Sequence, residues 1–428
     1  MEKRNFVLKG QICYSTGLDS LEICPDSYLV CEEGISRGIF RDDSEIPEKY
    51  QDFPLKNYGN SLIIPGLVDL HVHAPQYAFA ALGMDMELLD WLNTRTFPEE
   101  GKYGDLEYAR KAYEIFSEDL KKSATTRACI FATCHVPATE LLMDLLEETG
   151  LKTMVGKVNM DRNAPDYLCE ESAEQSAKDT VAWLKKVVKK YRNVKPILTP
   201  RFIPSCTDEL MKKLCDIRKE YHLPVQSHLS ENYGEIAWVK ELCPWSSCYG
   251  DAYDKFGMFG GNYPVIMAHC VHPTEEEMEL MKKNQVFVAH CPHSNTNLSS
   301  GIAPVRNYLD MGVPVGLGSD VAGGHALSMF RVMEGAVQVS KLRWRLADES
   351  RKPLKMEEVF YLATKGGGAF FGNVGSFEPG YEFDAVVIND ERLKTPLELN
   401  LRERLERVMY LSQDSDIRAK YAAGGRVF

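Results

Sequence analysis

The strongest constraint on the fold of this sequence is a repeated alternation of short apolar segments with amphipathic ones. The apolar segments have the length and composition of strands and lie at residues 61–68, 127–133, 155–159, 197–201, 225–228, 265–269, 286–290 and 315–319. Helical spacing of apolar residues is clearest at residues 141–148, 173–191, 208–221 and 274–283. Strand–helix alternation repeated about eight times indicates a parallel sheet, and a chain of 428 residues has room to close it. We therefore predict an α/β protein built on a TIM (β/α)8 barrel.

The two ends of the chain do not follow this alternation. Short strands bounded by turn residues are predicted at 6–10 and 28–31, and a further strand follows Gly380 at residues 383–388. We expect both ends to pair into one small β-sandwich domain. The predicted division is residues 1–62 and 378–428 for the two parts of the β-domain, and residues 63–377 for the barrel.

The composition excludes several classes of protein. Hydrophobic residues make up 44% and charged residues 26% of the chain, as in an ordinary globular protein. The net charge of -12 argues against a nucleic acid or an anionic membrane as a partner. The sequence shows no signal peptide and no apolar run near the roughly 20 residues of a membrane span. We expect a cytoplasmic protein whose scattered cysteines are reduced thiols.

Histidine and aspartate residues stand at the ends of several predicted strands. His71 and His73 are two residues apart, so on a strand their imidazoles point to the same side. His228, His269 and Asp320 each end another strand. Polar residues at the carboxyl ends of barrel strands converge on one site, where three imidazoles and a carboxylate suit a catalytic Zn²⁺ or Fe²⁺. A single such histidine is usually only a buried polar residue, but the set in this order predicts a metal centre.

Other histidines are less informative. His135, His290 and His293 also follow predicted strands, and the sequence leaves open whether they line the same pocket. His222 and His325 have no partner pattern and are interpreted as structural or surface residues.

The order His-x-His, His, His, Asp resembles the amidohydrolase superfamily, in its mononuclear deaminase branch. No strand offers an obvious bridging lysine of the two-metal branch. Longer stretches are similar to the guanine-using members of that branch; they lie at residues 65–77, 89–92, 96–98, 155–158, 199–202, 226–232, 290–295 and 316–324. The loop residues 270–272 and 292–294 depart from the pattern of the branch and leave loop contacts open.

This resemblance implies hydrolytic deamination of guanine to xanthine and ammonia, with one metal ion per chain and a homodimeric assembly. The implied metal ligands are His71, His73, His228 and Asp320. The implied catalytic residues are Glu231, His269 and Asp320. The implied substrate-binding residues are Gln76, Arg201, Phe202, Glu231, His228 and Trp91.

Elementary chemistry supports the same roles. Asp320 can both bind a metal and accept the proton of the attacking water. Glu231, three residues after His228, can face the same cavity and protonate the ring nitrogen beside the attacked carbon. His269 can orient the water and pass a proton to departing ammonia. The guanidinium of Arg201 offers a planar fork of donors for the carbonyl and ring acceptors of guanine.

The roles of the aromatic residues stay partly open at this point. Phe202 can pack on the base, whereas Trp91 and Phe97 suit either a wall over the base or plain core packing.

Two rival functions also stay open. The rival enzymes are deaminases or hydrolases of adenosine derivatives, cytosine or triazines. A catalytically dead binding protein is the rival from another class, but such relatives usually lose metal ligands, and all of them are present here.

Overall fold

The computed structural model describes residues 4–428. Its strands are β1 (Phe6–Gly17), β2 (Ser20–Glu32), β3 (Ile35–Phe40), β4 (Leu55–Pro65), β5 (Leu67–His73), β6 (Thr125–Phe131), β7 (Lys152–Gly156), β8 (Val158–Asn159), β9 (Val194–Pro196), β10 (Thr199–Pro200), β11 (Val225–Leu229), β12 (Val265–His269), β13 (Phe287–His290), β14 (Val315–Leu317), β15 (Ala385–Ile388), β16 (Ile417–Ala422) and β17 (Gly425–Arg426). Its α-helices are α1 (Glu48–Gln51), α2 (Leu88–Trp91), α3 (Phe97–Gly101), α4 (Leu106–Lys122), α5 (Val136–Thr149), α6 (Ala173–Val187), α7 (Asp208–Tyr221), α8 (Tyr233–Leu242), α9 (Tyr249–Lys255), α10 (Glu275–Asn284), α11 (Pro292–Asn297), α12 (Val305–Met311), α13 (Met329–Leu346), α14 (Met356–Tyr361) and α15 (Leu401–Leu411).

The barrel is built from two parallel sheets joined edge to edge. Strands β5, β6, β7 and β9 form one four-stranded sheet, and β11, β12, β13 and β14 form the other. A parallel bridge between Leu198 and Val225 joins them on one side. On the other side the backbone N–H of Asp320 donates to the carbonyl of His71 at 2.8 Å. Two four-stranded parallel sheets linked at both edges make a closed (β/α)8 barrel, as predicted.

Burial and helix capping explain why these segments take up these elements. Every residue of β5 and of β6 is buried, as is typical of parallel strands that are covered on both faces. The surrounding helices begin at capping side chains: Ser172 accepts the N–H of Gln175 before α6, and Thr207 accepts that of Leu210 before α7.

The two ends of the chain share a second, seven-stranded sheet with the order β17-β16-β15-β4-β1-β2-β3. In it β4 pairs with β1 in parallel and with β15 in antiparallel fashion, so strands from both ends of the chain are direct neighbours. The sheet is fastened to the barrel by Arg127 of β6, whose Nε donates to Oδ2 of Asp384 at 2.6 Å. We propose the predicted boundaries, 1–62, 63–377 and 378–428, as the division of the chain.

All the cysteines are free thiols, and most of them are buried. Within residues 4–428, no helix combines the length and the apolar character needed to cross a membrane.

Candidate active site

The predicted metal-binding side chains meet at the carboxyl ends of the barrel strands. His71 and His73 close β5, His228 lies in β11, His269 ends β12, and Asp320 follows β14. The backbone is left-handed at His269 (φ 71°) and at Asp320 (φ 47°). Such angles are uncommon for residues other than glycine and cluster at functional sites. The chain therefore turns sharply at the positions where these side chains enter the site.

Short distances join four of these side chains. Nε2 of His71 lies 3.1 Å and Nε2 of His73 lies 3.5 Å from Oδ1 of Asp320. Nε2 of His73 also lies 3.2 Å from Nε2 of His228. Among residues 4–428, the Nδ1 atoms of His71 and His73 are buried and have no hydrogen-bond partner. Hydrogen bonding alone therefore does not account for the burial of these rings, and the donor set of three imidazoles and a carboxylate suits a metal ion.

The protonation states also suit a metal. Burial lowers the pKa of His71, His73 and His228 and so favours the neutral forms of these imidazoles. Burial alone would raise the pKa of Asp320, but the imidazoles of His71 and His269 outweigh it and hold that pKa below its usual range. Neutral imidazoles and an ionised carboxylate are the forms that bind metals.

The ring of His228 is held in place by the backbone of Arg201. Its Nδ1 lies 2.6 Å from the carbonyl oxygen of Arg201 and so must carry the proton that this oxygen accepts. Nε2 is then free as a ligand atom toward His73. A backbone carbonyl that fixes the tautomer of a histidine in this way is common at metal sites.

Glu231 and His269 face each other beside this cluster. Oε2 of Glu231 lies 3.4 Å from Nε2 of His269, which in turn lies 3.7 Å from Oδ2 of Asp320. Burial raises the pKa of Glu231 to about 7. Burial lowers the pKa of His269, but the carboxylates of Glu231 and Asp320 more than offset this and raise it above its usual value. Glu231 can therefore hold or release a proton near neutral pH, and His269 keeps its proton to a higher pH than a free imidazole does.

Further hydrogen bonds hold Glu231 and His269 in position. Nδ1 of His269 lies 2.9 Å from Oδ1 of Asn295, and the Ser300 hydroxyl donates to Oε1 of Glu231 at 3.1 Å. The backbone N–H of Glu231 donates to Oε2 of Glu235 at 3.0 Å. Asn295, Ser300 and Glu235 were not predicted as site residues, because their roles depend on packing between distant loops.

The cluster borders a cavity that encloses about 440 Å³ of space, part of it open to solvent. Its lining residues are His73, Gln76, Leu88, Trp91, Leu92, Arg201, Phe202, His228, Glu231, Glu235, His269, Leu298 and Asp320. The predicted substrate-binding residues are thus all at this cavity. His71 is not itself a lining residue, but it contacts Asp320, which is one.

A buried carboxylate behind the cavity was missed by the sequence analysis. Glu100 accepts a hydrogen bond from Nε2 of Gln76 at 2.9 Å and another from NH1 of Arg201 at 2.6 Å. The guanidinium of Arg201 also lies 5.3 Å from the centre of the Phe97 ring. Glu100 follows the Thr96–Pro98 stretch, but no residue pattern reveals that it meets two side chains so distant in sequence.

The other strand-end histidines do not line this cavity. His135 is the capping residue before α5 and is half-buried. His290 lines a different cavity, together with Arg306 and Arg343. The ring of His293 packs on that of His325, with 4.4 Å between ring centres.

A family model and several known proteins are similar to this chain over most or all of its length. A family model described as the amidohydrolase family matches residues 62–427. The guanine deaminase of Dictyostelium discoideum is 35% identical over 452 residues, covering 100% of both chains. That of Rattus norvegicus is 37% identical and covers 98% of this chain and 96% of its own. A crystal structure of guanine deaminase from C. acetobutylicum, with guanine bound in its active site, is 48% identical, has a TM-score of 0.95 and covers 99% of this chain and 100% of its own.

Proposed function

The chain belongs to the amidohydrolase family, and from this premise we propose that it converts guanine and water into xanthine and ammonia. The observation that carries the proposal is one cavity that holds both parts of such a site. The histidine–aspartate cluster and Glu231 stand beside Arg201 and Gln76, two donors suited to a carbonyl-bearing base. The similarity to a guanine deaminase solved with guanine bound supports the choice of substrate.

We propose one metal ion per chain, Zn²⁺ or Fe²⁺, held by His71, His73, His228 and Asp320. When bound, such a metal lowers the pKa of a water molecule to about 7 and so supplies a nucleophile at neutral pH. Side chains of the protein carry out the proton transfers.

The proton transfers follow from the positions of three side chains. Asp320 accepts a proton from the attacking water, and its contact with His269 gives that proton a path. Glu231, protonated in part near pH 7, donates to ring nitrogen N3 and makes the adjacent C2 more electrophilic. His269 delivers a proton to the amine as the C2–N bond breaks. Water gains a bond to C2, and ammonia leaves with the proton from His269. The remaining hydroxyl proton passes to the ionised Glu231 as the carbonyl of xanthine forms, which restores the starting state of that carboxyl group.

Binding of the base rests on a polar side and an apolar side of the cavity. The guanidinium N–H groups of Arg201 match the C6 oxygen of guanine, and Gln76 presents its amide nearby. Phe202 and Trp91 supply apolar surface for the ring faces. Adenine carries an amine in place of the C6 oxygen, and its donors would face the donors of Arg201.

Turnover by the metal-loaded protein tests this function. Purified protein incubated with guanine is expected to release ammonia and xanthine in equal amounts. A His71→Ala variant serves as the inactive control. If the metal-loaded wild type leaves guanine unchanged, the proposed function is wrong.

The proposal also covers the number of chains in the protein and its compartment in the cell. We propose a cytosolic homodimer that takes a purine base and water and no nucleic acid, in keeping with the net charge of -12. Light scattering on the purified protein measures the number of chains directly.

A further inference from the structure

We propose that Glu100 is a positioning residue that orients Gln76 and Arg201 together and so sets the preference of the pocket for a carbonyl-bearing base. This inference rests on the proposed function and deepens it. Glu100 does not touch the substrate, because it stands behind the two residues that line the cavity and is itself only 2% exposed.

The two oxygens of the Glu100 carboxylate are divided between the two side chains. Oε1 accepts from Nε2 of Gln76 at 2.9 Å, and Oε2 accepts from NH1 of Arg201 at 2.6 Å. A carboxylate only accepts hydrogen bonds, so this contact decides which end of the Gln76 amide is the nitrogen. The amide oxygen then faces the backbone N–H of Ala322 at 3.3 Å.

Each of the two side chains is thus held on two sides. Gln76 lies between Glu100 and Ala322, and Arg201 lies between Glu100 and the ring of Phe97. One amino group of the guanidinium is engaged by Glu100, which leaves the rest of its planar fork for a ligand. Both oxygens of Glu100 are occupied, so Gln76 and Arg201 present only hydrogen-bond donors to the base. A ring carbonyl, which accepts hydrogen bonds, is the group that fits them.

Glu100→Gln is the variant that disturbs this arrangement with the least change in shape. Its amide nitrogen would have to face a donor, either Nε2 of Gln76 or NH1 of Arg201. One of these contacts is then lost, and kcat/KM for guanine is expected to fall by about 10- to 100-fold, as when other outer residues that support a site are changed. Metal content is expected to stay at the wild-type value.

A double-mutant cycle separates positioning from general structural support. If Glu100 acts through Arg201, then Glu100→Gln adds less than about threefold to the loss already caused by Arg201→Ala, because coupled residues are not additive. The ratio of kcat/KM for guanine over 2,6-diaminopurine, which keeps the C2 amine and has an amine in place of the C6 carbonyl, gives a second readout. Positioning predicts that this ratio falls, since turnover of guanine drops while the slower turnover of the diamine does not.

Glu99→Gln is the matched control. Glu99 is the neighbouring buried carboxylate of α3 and bonds to Lys102 and Tyr108 instead of the pocket residues. Its kcat/KM for guanine is expected to stay within about threefold of wild type, the limit applied to the cycle above. If Glu100→Gln fails to fold, Glu100→Asp takes its place, because it keeps the charge and can reach one partner but not both.

The outcomes are distinct. Loss of guanine turnover in Glu100→Gln or Glu100→Asp, with normal metal content and no additivity with Arg201→Ala, supports the inference. Wild-type kcat/KM in these variants, full additivity, or an equal loss in Glu99→Gln overturns it. Absence of guanine turnover in the wild type would instead contradict the proposed function itself.

Discussion

Nε2 of His269 lies 3.4 Å from Oε2 of Glu231, so an imidazole and a carboxyl with raised pKa values face each other across the pocket. The imidazole of His269 favours the ionised form of Glu231, and the carboxylate of Glu231 favours the protonated form of His269. Both side chains line the cavity, so they place proton donors on the substrate side of the histidine–aspartate cluster.

Glu231→Gln is expected to lower kcat for guanine by about 10²- to 10⁴-fold, the usual contribution of general acid–base catalysis. The variant keeps the shape of the side chain and removes the carboxyl group that donates and accepts the proton. Metal content should match the wild type, because Glu231 is not among the proposed ligands. Steady-state kinetics with elemental analysis check both points, and a near-normal kcat would remove Glu231 from the mechanism.

The pH dependence of kcat/KM is expected to show a decline as the pH rises through about 7, because burial places the pKa of Glu231 there and the protonated form is the donor. The nearby carboxylate of Glu235 adds to this upward shift. Glu235→Gln removes a like charge, which favours the ionised form of Glu231, so the decline should move to lower pH. An unchanged or opposite shift in the profile would refute this assignment.

Removal of the metal by a chelator is expected to abolish activity, and Zn²⁺ or Fe²⁺ at one ion per chain should restore it. His71→Ala should lose more bound metal than His269→Ala, since His71 is proposed as a ligand and His269 as a proton donor. Elemental analysis of both variants measures the difference. Equal metal loss, or full activity in a metal-free preparation, would contradict the proposed ligand set.

Local sequence patterns predicted the elements of the barrel well where a capping residue marks the end of a helix. Helix α7 spans Asp208–Tyr221 as expected, because Thr207 caps its first turn. The two N-terminal strands are longer than predicted. Pro25 and Asp26, which precede the predicted strand at residues 28–31, form an irregularity inside β2, opposite Gly10–Ile12 of β1. A bulge tolerates a proline that a regular central strand would exclude.

The candidate site was predictable only in part, for a physical reason. His71, His73 and Asp320 follow apolar strands, and strand ends converge in any parallel barrel. The contacts of Glu100 and Asn295 depend on which loops pack together. Loop packing leaves no periodic pattern of residues in a single sequence, so these contacts could not be predicted. The same limit applies to His290, which ends a strand yet lines a different cavity.

Arg127→Met is expected to destabilise the protein by about 3–5 kcal/mol, the usual cost of removing one partner of a buried ion pair. Arg127 and Asp384 are both nearly inaccessible, and they join the barrel to the chain-end sheet through contacts of 2.6 Å and 3.0 Å. Urea denaturation measures the change, with Lys111→Met, which breaks only an exposed contact with Glu107, as the control. Equal stability of the two variants would contradict this role for Arg127.

Arg201→Ala is expected to lose most of kcat/KM for guanine, since a hydrogen bond to a charged group contributes about 1.5–3 kcal/mol and more when buried. Arg201→Lys should recover little of it, because an ammonium group lacks the planar fork of donors. Guanine turnover within a few-fold of wild type in Arg201→Ala would show that Arg201 does not bind the base.

The most direct measurement is ammonia release by the wild-type, metal-loaded protein from guanine, adenine, cytosine and adenosine, compared as kcat/KM. A site built to hydrogen-bond a substrate group rejects analogues that lack it by about 10⁴-fold or more. Guanine should therefore be deaminated to xanthine, with adenine nearly untouched. A preference for adenine, adenosine or cytosine would contradict the assignment of guanine as the substrate.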